Sequence, residues 1–155
     1  MPADKQAAAG RMPIKQLLET DWRNNYKQMG VPAEALAAIV THEIQSGSQP
    51  VRLRNTLMLF RVDPQDPTHA MFHTFTADPY GVFASLVLRM LLSLVQARGV
   101  QVATTVLLND GPYRLAKRLL GDEYVELTDG SDPDTKTMTL RIGDFYRQHA
   151  QGEVQ

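Results

Sequence analysis

The sequence predicts an α/β fold in a single domain, one mixed β-sheet flanked by helices, and three observations carry that prediction. The first is the stretch Asp78 to Val100, DPYGVFASLVLRMLLSLVQARGV, which opens on an Asp-Pro pair suited to a helix start and closes on Arg98-Gly99, a helix stop. Its polar positions Ser85, Arg89, Ser93 and Gln96 recur three or four apart on one stripe, and apolar side chains cover most of the remaining circumference. The second is that strand-like runs lie on either side, Ala70 to Thr76 before it and Val102 to Leu108 after it, which is the order of a right-handed strand–helix–strand crossover. The third is the rest of the order, α-α-β-β-β-α-β-α-β-β, with no internal repeat.

The elements follow in chain order. Residues 1–12 lack periodicity and form an N-terminal arm, expected to meet a partner chain. From Pro13, Ile14, Leu17, Leu18, Trp22, Tyr26 and Met29 recur at helical spacing until Gly30. A second helix opens near Pro32 and buries Leu36, Ile39 and Val40, ending before Ser46-Gly47-Ser48-Gln49-Pro50. Val51 to Arg54 and Thr56 to Val62 read as strands, and the turn Asp63 to Pro67 sends the chain back into His69 to Thr76 as an antiparallel neighbour. After the central helix and its following strand, Asn109-Asp110-Gly111-Pro112 opens a helix that Gly121 ends. Tyr124 to Thr128 and Thr135 to Ile142 form a hairpin in which Met138, Leu140 and Ile142 alternate with Thr137, Thr139 and Arg141. The domain is expected over 13–142, with a polar C-terminal tail over 143–155.

Bulk properties narrow the classes of function. The chain has 155 residues and no cysteine, which excludes disulfides, thiolate metal sites and a Cys nucleophile. A net charge of −1 provides no overall attraction to nucleic acid or anionic lipid. The first residues lack the apolar core of a signal peptide, and Arg89 interrupts the apolar helix, so neither export nor a membrane span is expected.

Several residue groups invite chemistry and have plainer accounts. His69 and His73 share one face of a strand but stand about 13 Å apart, too far for one metal ion. No metal site is expected. His42-Glu43 could pair as a base but reads as a solvated helix face, as do the basic residues Arg114, Lys117 and Arg118. The acidic turn Asp129 to Asp134 lacks calcium-loop spacing.

The element order resembles the GNAT fold of the N-acetyltransferase superfamily, over residues 13–142. That family carries Arg or Gln, two variable residues, Gly, one variable residue, then Gly or Ala, where the strand meets the central helix; backbone N–H groups there cradle the acetyl-CoA pyrophosphate. Here Gly81 matches the first glycine, while Asp78 replaces the Arg or Gln and Phe83 replaces the second small residue. A carboxylate repels pyrophosphate, and a benzyl ring obstructs its approach. Asn109 matches the family's Asn after the next strand, but Ala116 stands where a Tyr is favoured, leaving Tyr113 as the nearby phenol. The run from Asn109 through Tyr113, Arg114 and Lys117 to Gly121 is similar to GNAT-like proteins of short-tailed bacteriophages, some of them virion components.

The resemblance therefore implies a catalytically degenerate GNAT-like protein with a structural or assembly role, a bacteriophage virion component associated with head, portal or tail. It would be held by other protein subunits or as a homo-oligomer, with no cofactor and no nucleic acid, in the virion or the bacterial host cytoplasm. The alternative it implies is an acetyl-CoA-dependent N-acetyltransferase. In that case Gly81, Val82, Phe83 and Asn109 hold the cofactor, His73 is the general base, and Tyr113 is the general acid.

Overall fold

The elements of the computed structural model, which describes residues 11–150, are α1 (Ile14–Asn25), α2 (Ala35–Gln45), β1 (Gln49–Leu53), β2 (Thr56–Asp63), β3 (Asp66–Thr76), α3 (Tyr80–Arg98), β4 (Val102–Leu107), α4 (Gly111–Leu120), β5 (Val125–Asp129), β6 (Lys136–Leu140) and the short α5 (Ile142–Phe145). All but two residues of the expected N-terminal arm, and the last five residues of the chain, lie outside the described residues. The strands form one six-stranded sheet in the order β1-β2-β3-β4-β6-β5. β3 and β4 are parallel, with His69 opposite Val102 and Met71 opposite Thr104, as a crossover through α3 requires. β6 runs antiparallel to both β4 and β5, with Leu140 opposite Ala103 and Val125. This is the mixed sheet flanked by helices that the element order predicts.

The described residues form two compact units, one of residues 11–59 and 74–86, the other of residues 60–73 and 87–150. The first has a core of Leu17, Leu18, Leu36, Leu57, Leu59 and Phe75, bordered by Met12, Trp22, Tyr26, Val40 and Ala77. The apolar repeat that reads as one helix to Met29 is broken after Asn25. Tyr26 leaves helical geometry at φ −128°, a 3-10 turn follows over Lys27–Met29, and Gly30 closes it at φ 79°. The Trp22 indole N–H donates to the Val31 carbonyl at 2.6 Å, tying the chain back on α1. The second helix begins at Ala35 rather than beside Pro32, because Pro32 to Glu34 form a turn in which Ala35 N–H reaches the Pro32 carbonyl.

In the second unit the alternation is direct. Ala70 and Phe72 on β3, Ala103 and Leu107 on β4, and Met138 and Leu140 on β6 are buried, and the residues between them are more open. The sequence from Ile142 is folded as far as it is described. α5 is followed by a π-type turn over Tyr146–Ala150, and the Phe145 ring meets Tyr124 edge-on at 5.5 Å. Gly143 makes that docking possible. Its N–H donates to the Gln101 carbonyl at 2.9 Å, and a Cβ there would stand 3.0 Å from Gln101 Cα and closer still to its side chain.

α3 is long and apolar enough to cross a membrane by composition alone, with a mean hydropathy of 1.6 over 18 residues. Its Ala84, Leu86, Met90, Leu91 and Leu94 are buried within the protein, while Ser85, Arg89, Ser93 and Gln96 form the exposed stripe that the spacing predicts.

Candidate functional site

The corner where β3 hands over to α3 is built inside the first unit around Thr76. The strand ends there, Ala77 N–H donates to the Asn55 carbonyl at 2.9 Å, and Asp78-Pro79 leads into the first turn of α3. Two carboxylates converge on this point. Asp78 is 3% exposed at its side chain; its Oδ2 accepts the Asn55 N–H at 3.0 Å and the Thr56 hydroxyl at 2.8 Å, and Oδ1 lies 3.8 Å from Arg54 Nε. The Asp78 N–H donates to Thr76 Oγ1 at 3.0 Å, and that hydroxyl is 2.7 Å from Thr56 Oγ1. This closed network directs the Asp78 charge to the β1–β2 turn. The simple electrostatic objection to an anion at the helix start is thereby corrected, because the carboxylate faces inward donors.

Asp21 of α1 is the second carboxylate, and no motif in the sequence marks it. It is 3% exposed, accepts the Thr76 N–H at 3.2 Å through Oδ2 and the Asn25 amide at 2.7 Å through Oδ1. Burial pushes its pKa up to about 6, against the two hydrogen bonds, which lower it. The neighbouring Tyr26 phenol is pushed up to about 12, by burial first and then by Asp21 and Tyr80. A signal short of a motif does exist. Asp21 stands four residues after Leu17 and three after Leu18, on the apolar stripe of α1.

The first turn of α3 carries Gly81, Val82 and Phe83. Gly81 is exposed, its φ is not in the left-handed region, and a Cβ added there would meet nothing within 4 Å. Internal packing therefore does not demand a glycine. The Phe83 ring is half-buried against Tyr80, 5.8 Å away and edge-on, and its N–H donates to the Pro79 carbonyl at 2.8 Å. Pro79 has no N–H, and the N–H of Asp78 is taken by Thr76. Of the six positions that match the family's phosphate turn, three therefore lack an N–H to offer a ligand, either by chemistry or by an existing bond.

His73, Asn109 and Tyr113 all lie in the second unit. His73 is half-buried on β3. Asn109 follows β4, where its Oδ1 accepts the Gly111 N–H at 2.9 Å and shapes the turn into α4. Tyr113 on α4 has Lys117 Nζ over its ring at 5.1 Å. His69 Nε2 is 2.9 Å from Thr104 Oγ1, and its Nδ1 is 3.8 Å from Asp63 Oδ2, so this histidine serves the sheet. Among the described residues no group of His, Asp or Glu could hold a metal ion. Arg114 and Arg118 are exposed on α4 and Lys117 is half-exposed. In the first unit, Glu43 on α2 is buried and accepts the Ser48 hydroxyl at 2.9 Å, so of the His42-Glu43 pair that reads as a solvated helix face only His42 is exposed.

No protein-family profile matches the sequence, and no curated protein matches it. Solved structures do match the fold. A ribosomal alpha-N-protein acetyltransferase, RimL, in complex with coenzyme A matches with a TM-score of 0.52 at 13% identity, covering 84% of this chain and 87% of that one. A chimera of spermidine N-acetyltransferase SpeG from Vibrio cholerae and hSSAT matches with a TM-score of 0.52 at 10% identity, covering 86% and 92%. A protein assigned as a phosphinothricin N-acetyltransferase matches with a TM-score of 0.51 at 14% identity, covering 83% and 91%. With its strand order, its parallel β3–β4 crossover and these neighbours, the chain has the GNAT acetyltransferase fold.

Proposed function

We propose that this chain is a GNAT-fold domain whose cofactor turn has been given over to structure, and that it acts as a structural or assembly component of a bacteriophage particle. One observation carries the first half of this reading. Of the six positions from Asp78 to Phe83, where the family's phosphate cradle would lie, Pro79 has no N–H and the N–H groups of Asp78 and Phe83 are already bonded. The spacing from Asn109 to Gly121, similar to that of phage GNAT-like proteins, supports the second half. Val106, Leu108 and Leu119, exposed on the second unit, are side chains that a neighbouring subunit would cover. In such a particle the protein is held by other subunits or by copies of itself, in the virion or in the host cytoplasm before assembly. Isothermal titration with acetyl-CoA tests the reading. No heat of binding at millimolar ligand is expected, and a dissociation constant in the micromolar range overturns it.

A second reading is favoured by two specific observations. The open space at Gly81 leaves room for a ligand at the helix start, and the neighbours of this fold described above are acetyltransferases. In that reading the chain is an acetyl-CoA-dependent N-acetyltransferase, with Gly81, Val82, Phe83 and Asn109 at the cofactor, His73 as base and Tyr113 as acid. His73→Ala and Tyr113→Phe then each lower turnover by about tenfold or more. Unchanged rates remove those roles.

A further inference from the structure

We propose that the β1–β2 turn forms a binding site for a single phosphate-type oxyanion, held by Arg52, Arg54 and Arg11. Arg54 lies in the turn itself, and one side chain, Asn55, draws the segments that carry the other two toward it. Its Oδ1 accepts Arg52 Nη2 at 2.9 Å and the Met12 N–H at 2.8 Å, and the second bond brings Arg11 to the same turn. Arg52 Nε also donates to the Arg54 carbonyl at 2.8 Å, which fixes the plane of its guanidinium and leaves the other N–H groups of a five-donor fork outside these two bonds.

Arg54 itself occupies a position that glycine or asparagine would take with less strain. Its φ is 51°, the one non-glycine residue in the left-handed region among the described residues, and its side chain is 64% exposed. Holding a long cationic side chain in a strained turn suits a residue whose guanidinium has a task. The charges here are also out of balance. Among the described residues Asp78 is the carboxylate that ion-pairs with this group, at 3.8 Å from Arg54, and it is buried and already accepts from Asn55 and Thr56. Partial burial first, and then the nearby Arg11, hold the Arg52 pKa below its ordinary value, with Asp78 opposing. A dianion with several oxygens relieves that crowding and matches guanidinium forks, which a single halide does not. The site is independent of whether the chain uses acetyl-CoA, since it belongs to the β1–β2 turn and not to the first turn of α3.

The test uses the full chain, with inorganic phosphate as the probe and chloride at matched ionic strength as the control, read by thermal unfolding and by the Nε–Hε resonances of the arginines. Phosphate is expected to raise the melting temperature saturably and to shift the Arg52 and Arg54 resonances. Arg52→Gln and Arg54→Gln each weaken the apparent affinity by about tenfold or more, whereas Arg114→Gln does not. Arg54→Gly separates ligand from turn, because it should be more stable than the parent in chloride and yet respond less to phosphate. The proposal is overturned if chloride and phosphate act alike, or if the phosphate response survives both glutamine substitutions. Binding of a single-stranded oligonucleotide that falls steeply with salt, with no response to phosphate alone, overturns it in favour of an extended polyanion surface.

Discussion

Replacing Asp21 by asparagine should make the protein more stable at neutral pH and leave it nearly unchanged in acid. Asp21 lies on α1, 3% exposed, with a pKa raised from 3.8 to about 6 by burial. A folded-state pKa above the unfolded one means that the folded state binds the proton more tightly. The stability due to protonated Asp21 is therefore fully present below pH 3.8, is lost as the pH rises through about 6, and stays lost above it. The raised pKa corresponds to about 3 kcal/mol between the two ends of that window. The substituted asparagine carries no charge at any pH. Its carbonyl can accept the Thr76 N–H, and Asn25 can turn its own amide to accept from the new NH2, so both hydrogen bonds survive. Urea unfolding of parent and variant at pH 4 and pH 7.5 measures the difference directly. The expected outcome is a variant more stable by up to about 3 kcal/mol at pH 7.5, which for a chain of this size is a rise in melting temperature of roughly 6–12 °C. A variant less stable than the parent at pH 7.5, or an offset that does not change with pH, refutes the argument that burial of this carboxylate is what raises its pKa.

Two further outcomes follow from the same geometry. Thr56→Val removes a fully buried hydroxyl that links Thr76 to Asp78, and leaving that carboxylate short of a donor should cost about 1–3 kcal/mol in chemical unfolding. Gly143→Ala forces a Cβ to within 3.0 Å of Gln101 Cα and closer to its side chain, so a loss of roughly 1–3 kcal/mol is expected, partly recovered in the double variant with Gln101→Ala. A Gly143→Ala variant as stable as the parent would show that α5 does not need its close approach to the start of β4.

The elements were legible where periodicity is long. α3 runs Tyr80–Arg98, within two residues of the stretch that its capping signals mark, and the strands about it pair in parallel as a crossover demands. Boundaries set by a remote contact were not legible. The break after Asn25 depends on the Trp22 indole reaching Val31, and the folding of residues 142–150 depends on Tyr124 and Gln101 being where the sheet puts them. The candidate site divides the same way. Gly81, Phe83 and Asn109 could be placed on their turns from local sequence, yet the direction of the Asp78 carboxylate could not, because its donors, Asn55 and Thr56, stand more than twenty residues earlier in the chain.

By itself the sequence determined the kinds and order of the elements, the sheet-and-helix class, and the residues at the β3–α3 corner. These depend on side-chain period, on proline and glycine, and on which residues sit next to each other in the chain. Only the tertiary structure decided that Asp78 is turned inward, that Asp21 is buried with a pKa of about 6, and that Asn55 ties Arg52 and the Met12 N–H to one turn. The reason is that charge and hydrogen bonding act through space. Which donors a carboxylate meets, and how much water it loses, are fixed by strands and helices brought together from distant parts of the chain.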